Sequence, residues 1–213
     1  MCIRDRSSEA QPSRLTELQK EYPGLSRGPA GKSYAFVGDI GRGRTVRSLA
    51  NVLSQYDNVT MFFVSPPHDA LRLDDSLRKF LKGRGVTVEE FDSLDAQYKG
   101  KSILSQIDCL YMTRIQREHN SEKAESEMNE LDLEPFQLTM PRVSQLKSFT
   151  PILHPFPRDS VVNELPIEVD ADPRAMYFRQ ARNGMWARAA LLVHLFDAAD
   201  SLFLAYTEVM KRA

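Results

Sequence analysis

Short apolar runs alternate with amphipathic stretches through most of this chain, and that alternation constrains its fold more than any other feature. Ser33 to Val37, Val59 to Val64, Thr87 to Phe91, Cys109 to Met112 and Pro151 to Leu153 each have the length of one buried strand. Between the first four lie segments that read as helices, Arg44 to Gln55, Asp74 to Lys82 and a short one near Ser102 to Gln106. Strands alternating with helices predict an α/β fold with a doubly wound parallel sheet, covered on both faces. In such a sheet ligands bind in the crevice at the carboxyl ends of the strands.

Three motifs fall at those ends: Gly43-Arg44-Thr45-Val46 after the first run, Thr113-Arg114-Ile115-Gln116 after the fourth, and His154-Pro155-Phe156-Pro157-Arg158 after the last. Two arginines, a glutamine and a rigid proline turn then share one pocket. It suits a small substrate with more than one carboxylate, because a planar guanidinium grips a carboxylate through two parallel charge-assisted hydrogen bonds. Arg44 sits in the first turn of its helix, where a cation opposes the helix dipole unless an anion is bound. Arg114 and Gln116, two residues apart, point to the same side if strand geometry persists through them. With each motif taken alone, a solvated basic face explains Arg44 and a surface pair at a strand end explains Arg114 and Gln116 about equally well, and His154 also reads as a histidine packed at a strand end.

Bulk properties exclude several classes. The 28 basic and 29 acidic residues nearly cancel, so nothing points to nucleic acid or an anionic membrane, and a small molecule is the expected partner. Cys2 and Cys109 are the only cysteines, which argues against a disulfide framework and for the cytosol. The richest apolar segment, Ala189 to Tyr206, is interrupted by His194, Asp197, Asp200 and Ser201 and is no membrane span. Met1 to Arg6 lacks the apolar core of a secretory signal and reads as a sequencing or cloning scar. The four histidines are scattered and neither cysteine has a nearby second ligand, so no metal and no cofactor is expected. Gly41 and Gly43 put Val46 where a dinucleotide fingerprint needs its third glycine, and no G-x-S-x-G elbow occurs.

Pro12 to Tyr22 reads as a short helix and Pro23 to Lys32 as a connector. Ser121 to Leu131 is polar and reads as either a solvated helix or a loop, Phe136 to Thr139 as a short strand and Val143 to Lys147 as a helical turn. Asp172-Pro173 fits an N-cap with proline at the first helical position, opening one long helix to about Lys211. Met185, Trp186 and the run from Ala189 to Phe196 leave that helix almost no polar face, so a second body is expected to cover what the sheet does not.

The chain resembles the aspartate/ornithine carbamoyltransferase family, in its C-terminal, aspartate-binding domain, from about Lys32 to about Leu204. The residues that carry the resemblance are Val37-Gly38-Asp39 with Gly43-Arg44-Thr45-Val46-Arg47-Ser48-Leu49, then Tyr111-Met112-Thr113-Arg114-Ile115-Gln116-Arg117-Glu118, then Leu153-His154-Pro155-Phe156-Pro157-Arg158. A fourth stretch runs from Asp170 through Pro173, Tyr177 and Gln180 to Asn183-Gly184. Four ordered motifs are far more specific than any one of them.

The resemblance implies a Rossmann-like domain over residues 33–213, preceded by a remnant at 1–32. It implies transfer of the carbamoyl group from carbamoyl phosphate to the amine of L-aspartate, giving N-carbamoyl-L-aspartate and phosphate in de novo pyrimidine biosynthesis, without a cofactor. By resemblance Arg44 holds the α-carboxylate with Thr45 beside it, Arg114 grips the side-chain carboxylate, and Gln116 orients the substrate. The carbonyls of Pro155 and Phe156 hold the carbamoyl nitrogen and the attacking amine, across a cis Phe156-Pro157 bond, with His154, Pro157 and Glu118 in support.

No Ser-Thr-Arg-Thr phosphate loop occurs, and Gln11-Pro12-Ser13-Arg14 matches the family's His-Pro-Thr-Gln only faintly. The expectation is therefore an N-terminally truncated chain, inactive alone, whose full-length form has a carbamoyl-phosphate-binding domain and is a homotrimer; a regulatory subunit is left open. Phe156 replaces the usual leucine, which is expected to crowd the pocket, and Gly41 and Arg42 replace a lysine and a bulky residue. An ornithine carbamoyltransferase is the nearest rival, but its cysteine after the histidine is Pro155 here and its Ser-Met-Gly loop is absent. A noncatalytic amino-acid-binding module is the other alternative.

Overall fold

A computed structural model describes residues 14–116, 131–159 and 162–212. Five parallel strands, β1 (Ser33–Val37), β2 (Thr60–Val64), β3 (Thr87–Phe91), β6 (Cys109–Met112) and β7 (Ile152–Leu153), form one sheet in the order β3-β2-β1-β6-β7. A two-stranded antiparallel hairpin, β4 (Gln97–Tyr98) with β5 (Lys101–Ser102), stands apart. The chain leaves β1 toward β2 on one side and later returns to β6 on the other, so strand order reverses between β1 and β6. That reversal opens the crevice in which an α/β sheet places its ligand.

Side-chain alternation along the strands sorts the core into two layers. Tyr34, Phe36, Met61, Phe63 and Tyr111 face one side, against Val46, Ala50 and Leu53 of α2 (Arg44–Leu53) and Leu77 and Leu81 of α3 (Asp75–Gly83). Ala35, Val37, Phe62, Val64, Leu110 and Met112 face the other, against Leu94, Ile103, Leu104, Ile107, Phe136 and Leu138. Strands β1, β2 and β6 read as nearly unbroken apolar runs because both faces are covered, whereas the edge strand β3 carries exposed Thr87 and Glu90. The second cover is mostly irregular backbone. Residues 103–106 form turns after β5 in place of the expected helix, and Phe136 closes a 3-10 turn, Glu134–Phe136, in place of the expected strand. Arg142, in the short α4 (Met140–Val143), holds this layer by bonding Asp95 and the carbonyls of Glu134 and Gln137.

The N-terminal helix α1 (Arg14–Glu21) precedes the sheet as expected. The C-terminal helix differs from its sequence reading in both start and continuity. Asp172 ends a 3-10 turn, Ile167–Ala171, and its carboxylate holds the Arg174 guanidinium at 2.8 Å instead of capping a helix. Ile152 N–H donates to Arg174 O and Met176 N–H donates to Ile152 O, so the chain pairs along the edge of β7 before it can coil. Helix α5 therefore begins at Tyr177 and runs Tyr177–Leu195. It breaks at Asp197, whose φ is +48°, and α6 (Ala199–Arg212) follows. The two helices project from the sheet, and Trp186, Leu192, Phe196, Phe203 and Tyr206 are exposed along them.

Candidate active site

Residues from the loops after β1, β6 and β7 line one cleft of about 270 Å³. It contains Arg44 and Thr45, Arg114 and Gln116, and His154, Pro155, Phe156 and Pro157, with Arg42 and Thr113 beside them. Glu118 lies outside the described residues, as does most of the polar segment Ser121 to Leu131. Gly43 caps α2 with no side-chain bond, so the first-turn N–H groups of α2, beside Arg44 and Thr45, have no capping side chain. Past β6, Arg114 and Gln116 line the cleft while Ile115 between them is buried against Leu71.

Sequence reasoning gave Asp39 no role, yet it ties these loops together. Its side chain is fully buried. One oxygen accepts the Arg42 N–H at 3.1 Å, and the other accepts the Arg42 Nε–H at 3.0 Å and the Gln116 N–H at 3.1 Å. The Asp39 N–H donates to Thr113 Oγ1 at 3.0 Å, and that hydroxyl donates to Val37 O at 2.9 Å. Gly38, with φ +106°, permits this approach, since a Cβ there would lie 2.2 Å from Thr113 O.

Below the cleft, Tyr111 faces Thr45 and Gln180, and burial raises its pKa from the usual phenol value. The Phe156-Pro157 peptide is cis. Phe156 lines the cleft, and its ring also packs against Tyr177 and Phe178, with centroids 5.7 and 5.6 Å away, while the Arg158 guanidinium lies over all three rings. His154 is buried, with Nδ1 accepting the Phe156 N–H at 2.9 Å and Nε2 at 3.0 Å from Glu164. Both ring nitrogens are thus engaged within the protein. Among the described residues no three His, Cys, Asp or Glu side chains group as a metal site requires.

Residues 30–195 match the family model for the Asp/Orn binding domain of aspartate/ornithine carbamoyltransferase. The chain belongs to that family. It is similar to the multifunctional protein CAD of Squalus acanthias, 44% identical over 162 residues, which are 76% of this chain and 7% of that protein. It is similar also to the aspartate carbamoyltransferase catalytic subunit of Vibrio cholerae, 38% identical over 158 residues, covering 74% of this chain and 46% of the subunit. Its fold matches the catalytic subunit of M. jannaschii aspartate transcarbamoylase with a TM-score of 0.66 and 33% identity, over 87% of this chain and 54% of that one. The chain thus spans about half the length of these catalytic subunits.

Asp39, Tyr111, Glu164 and Gln180 are the residues around the site that carried no role in the sequence reading. A charge directly after an apolar strand and a glycine was a signal for Asp39. Glu164 and Gln180, 10 and 26 residues from their partner His154, gave no local signal.

Proposed function

We propose that this chain is the aspartate-binding half of an aspartate carbamoyltransferase, which transfers the carbamoyl group of carbamoyl phosphate to L-aspartate in pyrimidine biosynthesis. One observation carries the reading. Arg44, at the start of α2, and Arg114, on the loop after β6, line the same cleft with the Pro155-Phe156 turn. Two guanidinium groups match two carboxylates, and the distance between those carboxylates selects the ligand. No carboxylate lines the cleft among the described residues, and the Arg42 guanidinium is paired with the buried Asp39, so Arg44 and Arg114 set a positive environment that disfavours the cationic side chain of ornithine.

In the proposed reaction the neutral amine of aspartate attacks the carbonyl carbon of carbamoyl phosphate. The new C–N bond forms, a tetrahedral species carries charge on its oxygen, and the C–O bond to phosphate breaks. The departing phosphate takes up the amine's proton. Arg44 and Arg114 hold the two carboxylates so that the amine faces the Pro155 and Phe156 carbonyls. Fixing two reactants in this way supplies much of a rate enhancement without covalent catalysis. His154 has no role as a base, since both its nitrogens are occupied.

The exposed apolar side chains of α5 and α6 support a second proposal about assembly. The Vibrio cholerae and M. jannaschii catalytic subunits are about twice as long as the matched region, and we assign the covering of these two helices to a carbamoyl-phosphate-binding domain. That domain also completes the site, and the whole enzyme assembles as a trimer. The test is fusion of this chain to the N-terminal half of the Vibrio cholerae catalytic subunit. The fusion should form N-carbamoyl-L-aspartate from aspartate and no citrulline from ornithine. Citrulline formation at a comparable rate would refute the aspartate reading, and a folded fusion without either activity would favour a noncatalytic module.

A further inference from the structure

The Pro155-Phe156-Pro157 turn lies beyond the end of β7 at Leu153, so no strand ladder holds it. Side chains hold its backbone instead. His154 N–H donates to Gln180 Oε1 at 3.0 Å, Phe156 N–H donates to His154 Nδ1 at 2.9 Å, and Asp159 N–H donates to Glu164 Oε1 at 3.1 Å. Because Nδ1 accepts a hydrogen bond, the ring proton sits on Nε2, which lies 3.0 Å from Glu164 Oε1. The tautomer of a histidine is set by the bond its other nitrogen makes. His154 and Glu164 are 1% and 4% exposed, so water does not compete for either bond. Glu164 is itself anchored, since the Leu138 N–H donates to its backbone carbonyl at 2.9 Å.

We propose that Glu164 is a positioning residue of this site: by keeping the His154 proton on Nε2, it leaves Nδ1 to accept the Phe156 N–H and so sets the direction of the turn that carries the Pro155 and Phe156 carbonyls. Its importance for turnover rests on the function proposed above. Glu164 touches no substrate. It acts through an imidazole used as a two-ended link, with a carboxylate at one end and a backbone amide at the other. A histidine that only filled space would have no preferred tautomer, and its removal by a residue of similar shape would leave the Phe156 amide unaffected.

The test uses this chain with 15N-labelled histidine rings, read by long-range 1H–15N spectra, together with hydrogen exchange at the Phe156 amide. His154 should be a neutral Nε2–H ring with Nδ1 as acceptor, and the Phe156 amide should be protected. Glu164→Ala should spread the ring proton over both nitrogens and speed Phe156 exchange at least tenfold. Glu164→Gln, whose Oε1 still accepts, should keep both signatures. His154→Asn supplies a side-chain oxygen that reaches the N–H two residues on, as in an Asx turn, so it should restore Phe156 protection without Glu164. His154→Gln should not. An Nδ1–H or cationic ring in the unmodified chain, or unchanged Phe156 exchange in Glu164→Ala, overturns the proposal. Should Glu164→Ala fail to fold, the tautomer of the unmodified chain and the Asn/Gln pair decide the matter. None of these readouts involves carbamoyl transfer, so their failure would leave the proposed activity standing and the activity's failure would leave them standing.

Discussion

Asp39 and Gln116 lie 77 residues apart in sequence and meet above the sheet, where the Gln116 N–H donates to Asp39 Oδ2 at 3.1 Å. Through this contact the loop that leads into α2 and Arg44, and the loop that carries Arg114, share one buried carboxylate. Their spacing is thereby fixed from within the fold, before any substrate arrives. A cleft that recognises a dicarboxylate by the distance between two charges needs such a link.

Asp39→Ala removes the acceptor for the Arg42 side chain, the Arg42 N–H and the Gln116 N–H together. Breaking a buried pair by deleting one partner costs about 3–5 kcal/mol. Urea unfolding should show a loss of that size. A loss under about 1 kcal/mol, the range of an exposed pair, would mean that the carboxylate is not the tie between the loops.

Two glycine substitutions should act in opposite directions. Gly38→Ala would force a Cβ to within 2.2 Å of Thr113 O at a φ of +106°, and it should cost about 3 kcal/mol or more through strain and overpacking. Gly83→Ala, at the end of α3 with nothing within 4 Å of its Cβ position, should stabilise by about 0.4–1 kcal/mol. Thermal melts of both variants check the pair, and equal effects would contradict the described backbone.

Acid lability should follow from paired carboxylates. The Arg142 guanidinium holds Asp95 below its usual carboxylate pKa, and Arg174 does the same for Asp172. A carboxyl with a lowered folded-state pKa contributes stability that is fully present above its unfolded value of 3.8 and lost as pH falls through the folded value. Arg142→Met also strands the Glu134 and Gln137 carbonyls, and it should cost about 2–3 kcal/mol at neutral pH. The gap between this variant and the parent chain should narrow as pH drops below about 4. A gap that widens with acid would reverse the assignment.

The centre of the sheet was legible because β1, β2 and β6 are buried on both faces, which makes Ser33–Val37, Thr60–Val64 and Cys109–Met112 stand out as apolar runs. The cleft was legible for a related reason: motifs placed after such runs must gather at one edge. Where long-range contacts outcompete local preference, the sequence misled. Asp172-Pro173 has the chemistry of a helix start, but pairing of residues 174–176 with Ile152 delays the helix to Tyr177. The packing of Phe156 against Tyr177 and Phe178 was likewise hidden, because nothing near it in sequence announces those rings. Glu164 escaped notice for the same reason, since an isolated glutamate in a polar loop looks like surface until His154 is placed beside it.

The central claim is that Arg44 and Arg114 grip the two carboxylates of aspartate. Steady-state kinetics of the fusion enzyme with Arg44→Ala or Arg114→Ala, measured separately for each substrate, tests it most directly. A charge-assisted hydrogen bond contributes about 1.5–3 kcal/mol, so each variant should lose about 10- to 150-fold in kcat/KM for aspartate. Saturation by carbamoyl phosphate should change less than about threefold, within the reach of an exposed charge alone. A variant that keeps its efficiency with aspartate, or loses carbamoyl phosphate binding instead, would contradict the account.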